Sequence, residues 1–80
     1  MKQQIRDRKE FIAFLKKLHE DYVSNSEDWE NPTLDRFLAA MVAYAKDIQG
    51  YYDNSNQKIN GNDASWQIFS DILEGAKTYE

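Results

Sequence analysis

The sequence predicts an all-α fold, a small three-helix bundle, and three observations predict it. Apolar residues recur at three- and four-residue steps in three separate stretches. Only 3 Gly and 1 Pro interrupt the 80 residues, so little breaks helical runs. Aromatic residues make up 14% of the chain, and aromatics contribute the largest buried area per residue to a core.

The first helix is expected over residues 7–24. Asp7, with Glu10 three residues on, is a variant of the capping box. Phe11, Leu15, Leu18 and Tyr22 share a stripe that Ile12 and Phe14 widen. The stripe covers more of the helix than contact with one neighbour requires, so this helix should touch two others. Ser24, Asn25 and Ser26 then favour side-chain-to-backbone bonds over helix.

The second helix is expected over 32–49. Asn31 suits an N-cap and Pro32 the first helical position, where its missing N–H is no loss. Leu34, Phe37, Leu38, Met41, Ala45 and Ile48 follow at helical steps, and Gly50 stands where a glycine would end the helix. Residues 50–62, "GYYDNSNQKINGN", read as a loop opened by a fourth short helical turn at Tyr51 and Tyr52. The loop is long for a helix–helix connection, and long ordered loops are often functional.

The third helix is expected over 63–78, beginning near Asn62 or Asp63. Trp66, Phe69, Leu73 and Ala76 form its stripe, with Ile72 and Tyr79 beside it. Gly75 inside this helix costs about 1 kcal/mol relative to Ala, and a close approach of a neighbouring helix accounts for it. The expected core is Phe11, Leu15, Leu18, Leu34, Phe37, Leu38, Met41, Ile48, Trp66, Phe69, Ile72 and Leu73, in one domain over residues 1–80.

Composition limits what such a domain can do. With Cys 0, neither a disulfide nor a thiolate-held metal supplements the core. No stretch approaches the roughly 20 apolar residues that cross a bilayer, and the N-terminus has no apolar signal region. The expectation is a cytoplasmic protein with no membrane role. Residues 1–17 carry six Lys/Arg against two acids, a formal +4, while the remainder carries four against twelve, a formal −8. Such an acidic remainder steers a basic partner and argues against nucleic acid as a direct ligand.

Catalytic machinery is hard to assemble from these residues. His19 has Glu20 beside it and no second polar partner, no serine sits in a nucleophile motif, and Gly50, Gly61 and Gly75 match no phosphate-binding loop. Asp and Asn around Gly61 offer oxygen ligands, but an EF-hand register puts Asn56, Lys58 and Gln67 at positions that need acids. No cofactor and no metal are expected, and the chain reads as no enzyme.

Two stretches set aromatics beside acids: "EDWE" with Asp28, Trp29 and Glu30, and "YYD" with Tyr51, Tyr52 and Asp53. Trp29 is expected to pack over the corner between the first two helices. Tyr51 and Tyr52 point about 100° apart on a helix, so one faces the core and the other becomes a contact residue of the kind found in interface hot spots. Lying at opposite ends of the second helix, the two stretches form one surface only if the loop folds back.

The pattern W-E-N-x-T-L-x-x-F-L, a Y-Y pair, and S-W-x-x-F-x-D-I-L with a terminal Y-E resembles a group of small, uncharacterised bacterial single-domain proteins. Trp29, Glu30, Asn31, Thr33, Leu34, Phe37 and Leu38, then Tyr51 and Tyr52, then Ser65, Trp66, Phe69, Asp71, Ile72, Leu73, Tyr79 and Glu80 carry it. A weaker resemblance is to the immunity proteins of nuclease colicins, acidic helical proteins whose Tyr-Tyr pair after the second helix anchors a basic toxin. That resemblance implies Tyr51, Tyr52 and Asp53 as counterparts, although no proline follows the pair and the first helix is basic.

The reading is a protein-binding domain of immunity or antitoxin type. Tyr51, Tyr52, Asp53, Trp29, Asp28 and Glu30 would face a basic protein such as a toxin or nuclease. Two alternatives remain: a self-associating module using Ile12, Phe14 and Val42, and a nucleic-acid mimic whose acids compete for a DNA-binding protein.

Overall fold

The computed structural model describes residues 4–79, which hold three α-helices and no strand. Helix α1 spans Arg8–Asn25, α2 Leu34–Asn54 and α3 Trp66–Thr78, with a 3-10 turn at Ser26–Asp28 between the first two. The all-α expectation holds. The extra turn lies before α2, not after it.

Each helix begins on a side-chain cap. The Asp7 carboxylate accepts the Glu10 N–H at 2.8 Å, and the Glu10 carboxylate in turn accepts the Arg6 N–H at 2.7 Å. The box is thus closed one residue earlier than expected. Helix α2 is capped by Thr33, whose hydroxyl accepts the Arg36 N–H at 3.2 Å, and α3 by Ser65, whose hydroxyl accepts the Ile68 N–H at 3.1 Å. Asn31, expected to cap α2, is engaged elsewhere. Asn62 and Asp63, expected to start α3, form tight turns closed on Asn60.

Helix α2 runs past Gly50 because Tyr52 is a core residue. Its ring packs with Ile48 and Ile68 in the central cluster, joined by Tyr44, Ile59 and Ile72. Burying a tyrosine outweighs the roughly 1 kcal/mol cost of glycine in a helix. The helix ends instead at Asn54, and two residues on Asn56 takes a left-handed φ of 57°. The Gln57 N–H reaches the Tyr52 carbonyl and the Asn56 N–H the Asp53 carbonyl, the paired bonds of a Schellman motif with asparagine in the usual glycine position. The loop that follows is pinned to α2 by Gln49, which donates to the Ile59 carbonyl at 3.0 Å and accepts the Gly61 N–H at 2.6 Å.

Helix α3 is the middle element. It runs antiparallel to α2, with the Tyr44 ring lying against Gly75 and Tyr52 bonded to Asp71. It runs parallel to α1, with Phe11 against Trp66 at one end (5.3 Å between ring centres) and Asp21 paired with Lys77 at the other (3.0 Å). No Cα of α1 comes within 8 Å of a Cα of α2. Helix α1 therefore touches one helix along its length, not two, which corrects the expected core. Leu15, Leu34, Leu38 and Phe69 are exposed; the first three would be covered only if α1 and α2 met. No helix among the described residues is long and apolar enough to cross a membrane.

Candidate functional site

The corner between α1 and α2 is built around Trp29, which is only 8% exposed. Its indole N–H donates to Asp21 at 2.8 Å, its ring meets Tyr22 edge-on at 5.1 Å between centres, and Phe37 lies 5.8 Å away on the other side. Lys77 stands 5.7 Å over the ring and pairs with Asp21. The bonds from Lys77, the Trp29 indole and Asn25 hold the Asp21 carboxyl below its ordinary range. Asn31 completes the corner from below: its amide donates to the carbonyls of Ala76 at 2.9 Å and Tyr79 at 2.6 Å, closing the end of α3. "WEN" is thus a structural knot.

The six residues expected to contact a partner divide. Tyr52 is fully enclosed and bonded to Asp71 at 2.6 Å, so it offers a partner no surface, and Trp29 offers almost none. Asp28 and Glu30 are exposed at the corner, and Asp53 is exposed at the far end of α2, where it accepts from Gln49 at 3.1 Å. Tyr51 is 40% exposed and its ring lies 6.1 Å from that of Tyr44. The first group precedes α2 and the second lies in its last turn, so most of the helix, about 31 Å in full length, stands between them. The loop folds back onto α2 without bringing them together.

A different surface emerges where α1 and α2 fail to meet. Leu15, Leu18, His19 and Tyr22 on one side, and Trp29, Pro32, Leu34 and Phe37 on the other, line an open apolar groove of about 390 Å³. The Tyr22 hydroxyl links its two sides by donating to the Pro32 carbonyl at 2.7 Å. Beyond the groove the apolar surface continues on both helices. On α2, Leu34 is 74% exposed, Leu38 50% and Val42 58%; on α1, Ile12 and Val23 are exposed on the same side as Leu15. Leu34, Leu38 and Val42 follow one another at four-residue steps, so their exposed side chains form one stripe along α2.

Charge frames this face unevenly. The acids Glu27, Asp28, Glu30 and Asp35 surround its corner end, while Arg8, Lys9 and Lys16 border it toward the start of α1. None of these seven takes part in an ion pair within the described residues; the pairs there are Arg6–Glu10, Lys77–Asp21 and Lys77–Glu74. Among the described residues no group of three or more His, Cys, Asp or Glu is placed to hold a metal.

A model described as a family of unknown function (DUF7660) matches residues 7–80. The chain belongs to this family. The match takes in all three helices, so the entire groove lies within the DUF7660 region. It agrees with the resemblance to a group of small proteins without an assigned activity, and it brings no partner with it. No curated protein and no solved structure matches the chain.

Sequence reasoning named Ile12 and Val42 as apolar flank but placed Leu15, Leu34 and Leu38 in the core, because these leucines fit a core stripe as well as a surface one. Periodicity tells which residues share a side of a helix; it does not tell whether anything covers that side. A signal was nonetheless present. The apolar stripes were wider than one helix contact needs, and here the excess width is the exposed part.

Proposed function

We propose that this chain is a protein-binding domain without catalytic activity and that its contact surface is the uncovered face between α1 and α2. The observation that supports this most is the exposure of Leu34, Leu38 and Val42 beside an apolar groove, in a chain too small to leave apolar surface uncovered at no cost to its stability. Apolar anchors seated in such a groove supply affinity, and the acids at its corner end raise the rate of encounter with a basic partner.

A toxin-neutralising role of the immunity or antitoxin kind is the more specific form of this reading. It draws support from the acidic corner at Glu27, Asp28, Glu30 and Asp35, and it places the contact on the groove in place of Tyr52. The cytoplasm is the compartment that suits it, since no disulfide is needed.

The test is a pull-down with the product of the adjacent gene. Capture by the wild type and its loss in Leu34→Asp/Leu38→Asp, with helix content unchanged by circular dichroism, is the expected result. Capture that survives this double variant overturns the site. Tyr51→Ala serves as the control for the second surface; pairing it with Tyr52→Ala would unfold the core and report nothing about binding.

A further inference from the structure

The reading above asks for a partner with an apolar stripe and a basic end. The chain carries one itself. Arg8, Ile12 and Leu15 lie on one side of α1 at helical spacing, with Lys16 one turn beyond Ile12. We propose that the face between α1 and α2 is occupied by a second copy of this chain, in a two-fold symmetric dimer that stacks the two α1–α2 layers antiparallel.

Charge complementarity selects this occupant. Helix α1 is 18 residues, about 27 Å, long, with Arg8 and Lys9 in its first turn and the acidic corner of Glu27, Asp28 and Glu30 just past its end. A two-fold axis through the middle of the face brings the basic start of each α1 against the acidic corner of the other copy, and it does so twice. A parallel arrangement would set like charges together at both ends, which costs affinity. Within the monomer, Arg8 and Lys9 sit where the helix dipole disfavours positive charge, and neither has an ion-pair partner among the described residues. Their placement makes sense across an interface.

The surface area points the same way. A compact monomer of 9.4 kDa should expose about 5000 Å², whereas this chain exposes 5894 Å². The difference is of the size of one side of an ordinary protein–protein interface, roughly 800 Å². Its radius of gyration, 12.6 Å, also exceeds the ~11.6 Å of a compact chain of this length.

This inference rests on the α1–α2 face being a contact surface, and sedimentation equilibrium of the full chain tests the two ideas separately. The expected mass is twice 9.4 kDa at high concentration, with dissociation promoted by salt. Leu38→Asp should weaken the dimer by roughly tenfold or more while keeping its helix content. Should that variant unfold, Val42→Asp, on the same stripe, gives the same readout. Arg8→Glu/Lys9→Glu and Asp28→Lys/Glu30→Lys should each dissociate the dimer alone and restore it when mixed in equal amounts. A monomeric mass at every concentration overturns the second copy, as does a dimer that tolerates both Leu38→Asp and the charge reversals. If the chain is monomeric yet Leu38→Asp abolishes capture of the adjacent gene's product, the face is a contact surface for another protein and only the second copy fails.

Discussion

The Tyr52 hydroxyl donates a 2.6 Å hydrogen bond to the Asp71 carboxylate, with both side chains sealed from solvent between α2 and α3. A carboxylate this deep needs its donors, and Gln67 supplies another at 2.8 Å. Tyr52→Phe keeps the ring and removes one donor, so it measures that bond with little change in packing. The expected loss is about 1–3 kcal/mol, the cost of leaving a buried acceptor short of a partner. Urea unfolding of the two proteins with a common slope is the measurement, and equal midpoints would refute the role assigned to the pair.

Asn31 links the start of α2 to the end of α3. Its amide satisfies the carbonyls of Ala76 and Tyr79, and its own N–H reaches the Lys77 carbonyl at 3.2 Å. Asn31→Ala should therefore cost about 1–3 kcal/mol, because helix-end carbonyls lose their donors in a buried place. Asn31→Asp should cost at least as much near neutrality, since a carboxylate would face two carbonyl oxygens. Thermal melts of the three proteins give the order. An N-cap role alone would predict that Asp is tolerated, so the two substitutions together discriminate between the helices that Asn31 could serve.

That residue also shows where the sequence was legible and where it was not. The three helices, the close approach at Gly75 and the corner packing of Trp29 all follow from local spacing and residue type. Asn31 reads as the N-cap of α2, a place Thr33 takes; the end of α3 that its amide closes lies 45 residues away in sequence. The stop at Gly50 fails for a similar reason. Glycine's local preference is worth about 1 kcal/mol, and burying Tyr52 is worth more. The two aromatic–acid stretches looked alike in sequence, yet Trp29 and Tyr52 turn inward and the acids beside them stay in water. Burial is a property of the assembled fold, and adjacency in sequence does not reveal it.

Leu34 and Phe37 lie on neighbouring rows of α2 and look equally suited to a core. Leu34 stands free in solvent, while Phe37 packs against Trp29. Leu34→Ala should change stability by less than about 0.5 kcal/mol, as surface substitutions do. Phe37→Ala should cost on the order of 2–4 kcal/mol, somewhat below a fully buried phenylalanine because its ring is half-buried. Chemical denaturation at a concentration that keeps the chain monomeric separates these effects from self-association. Equal losses at the two positions would restore the fully packed bundle that the sequence alone predicts.

Gly75 sits under the ring of Tyr44, and a Cβ built there would overlap three of its ring carbons. The ring is in turn held edge-on by Tyr79 at 5.2 Å between centres, so it cannot swing aside freely. Gly75→Ala gains about 1 kcal/mol of helix propensity but should be destabilising overall by about 1–3 kcal/mol through overpacking. In a Tyr44→Ala background the obstruction is gone, and the same substitution should become stabilising. A double-mutant cycle read by thermal unfolding checks the reversal of sign; additivity would show that Gly75 is kept for another reason.

Stability should fall at both ends of the pH scale, for different residues. Asp21 has its folded carboxyl held low by Lys77, Trp29 and Asn25. A lowered value in the folded state means its contribution is complete above the unfolded carboxyl value of about 4 and is lost as pH falls below it. Glu10, held low chiefly by its bonds to Arg6, acts in the same direction. At the alkaline end the sign is opposite. Burial pushes the Tyr44 hydroxyl up to about 12 and raises Tyr52 further, with the bond to Asp71 adding to it. Both phenols stay neutral in the fold, so their contribution is complete below the unfolded value of about 10 and disappears as pH rises past it. Thermal midpoints across the range should therefore form a plateau from about pH 5 to about pH 9.5 with a fall on each side. Asp21→Asn should lower the plateau and flatten the acid limb, whereas Tyr52→Phe should flatten the alkaline limb and leave the acid one unchanged. An alkaline limb that persists undiminished in Tyr52→Phe/Tyr44→Phe would mean that the buried phenols do not govern it.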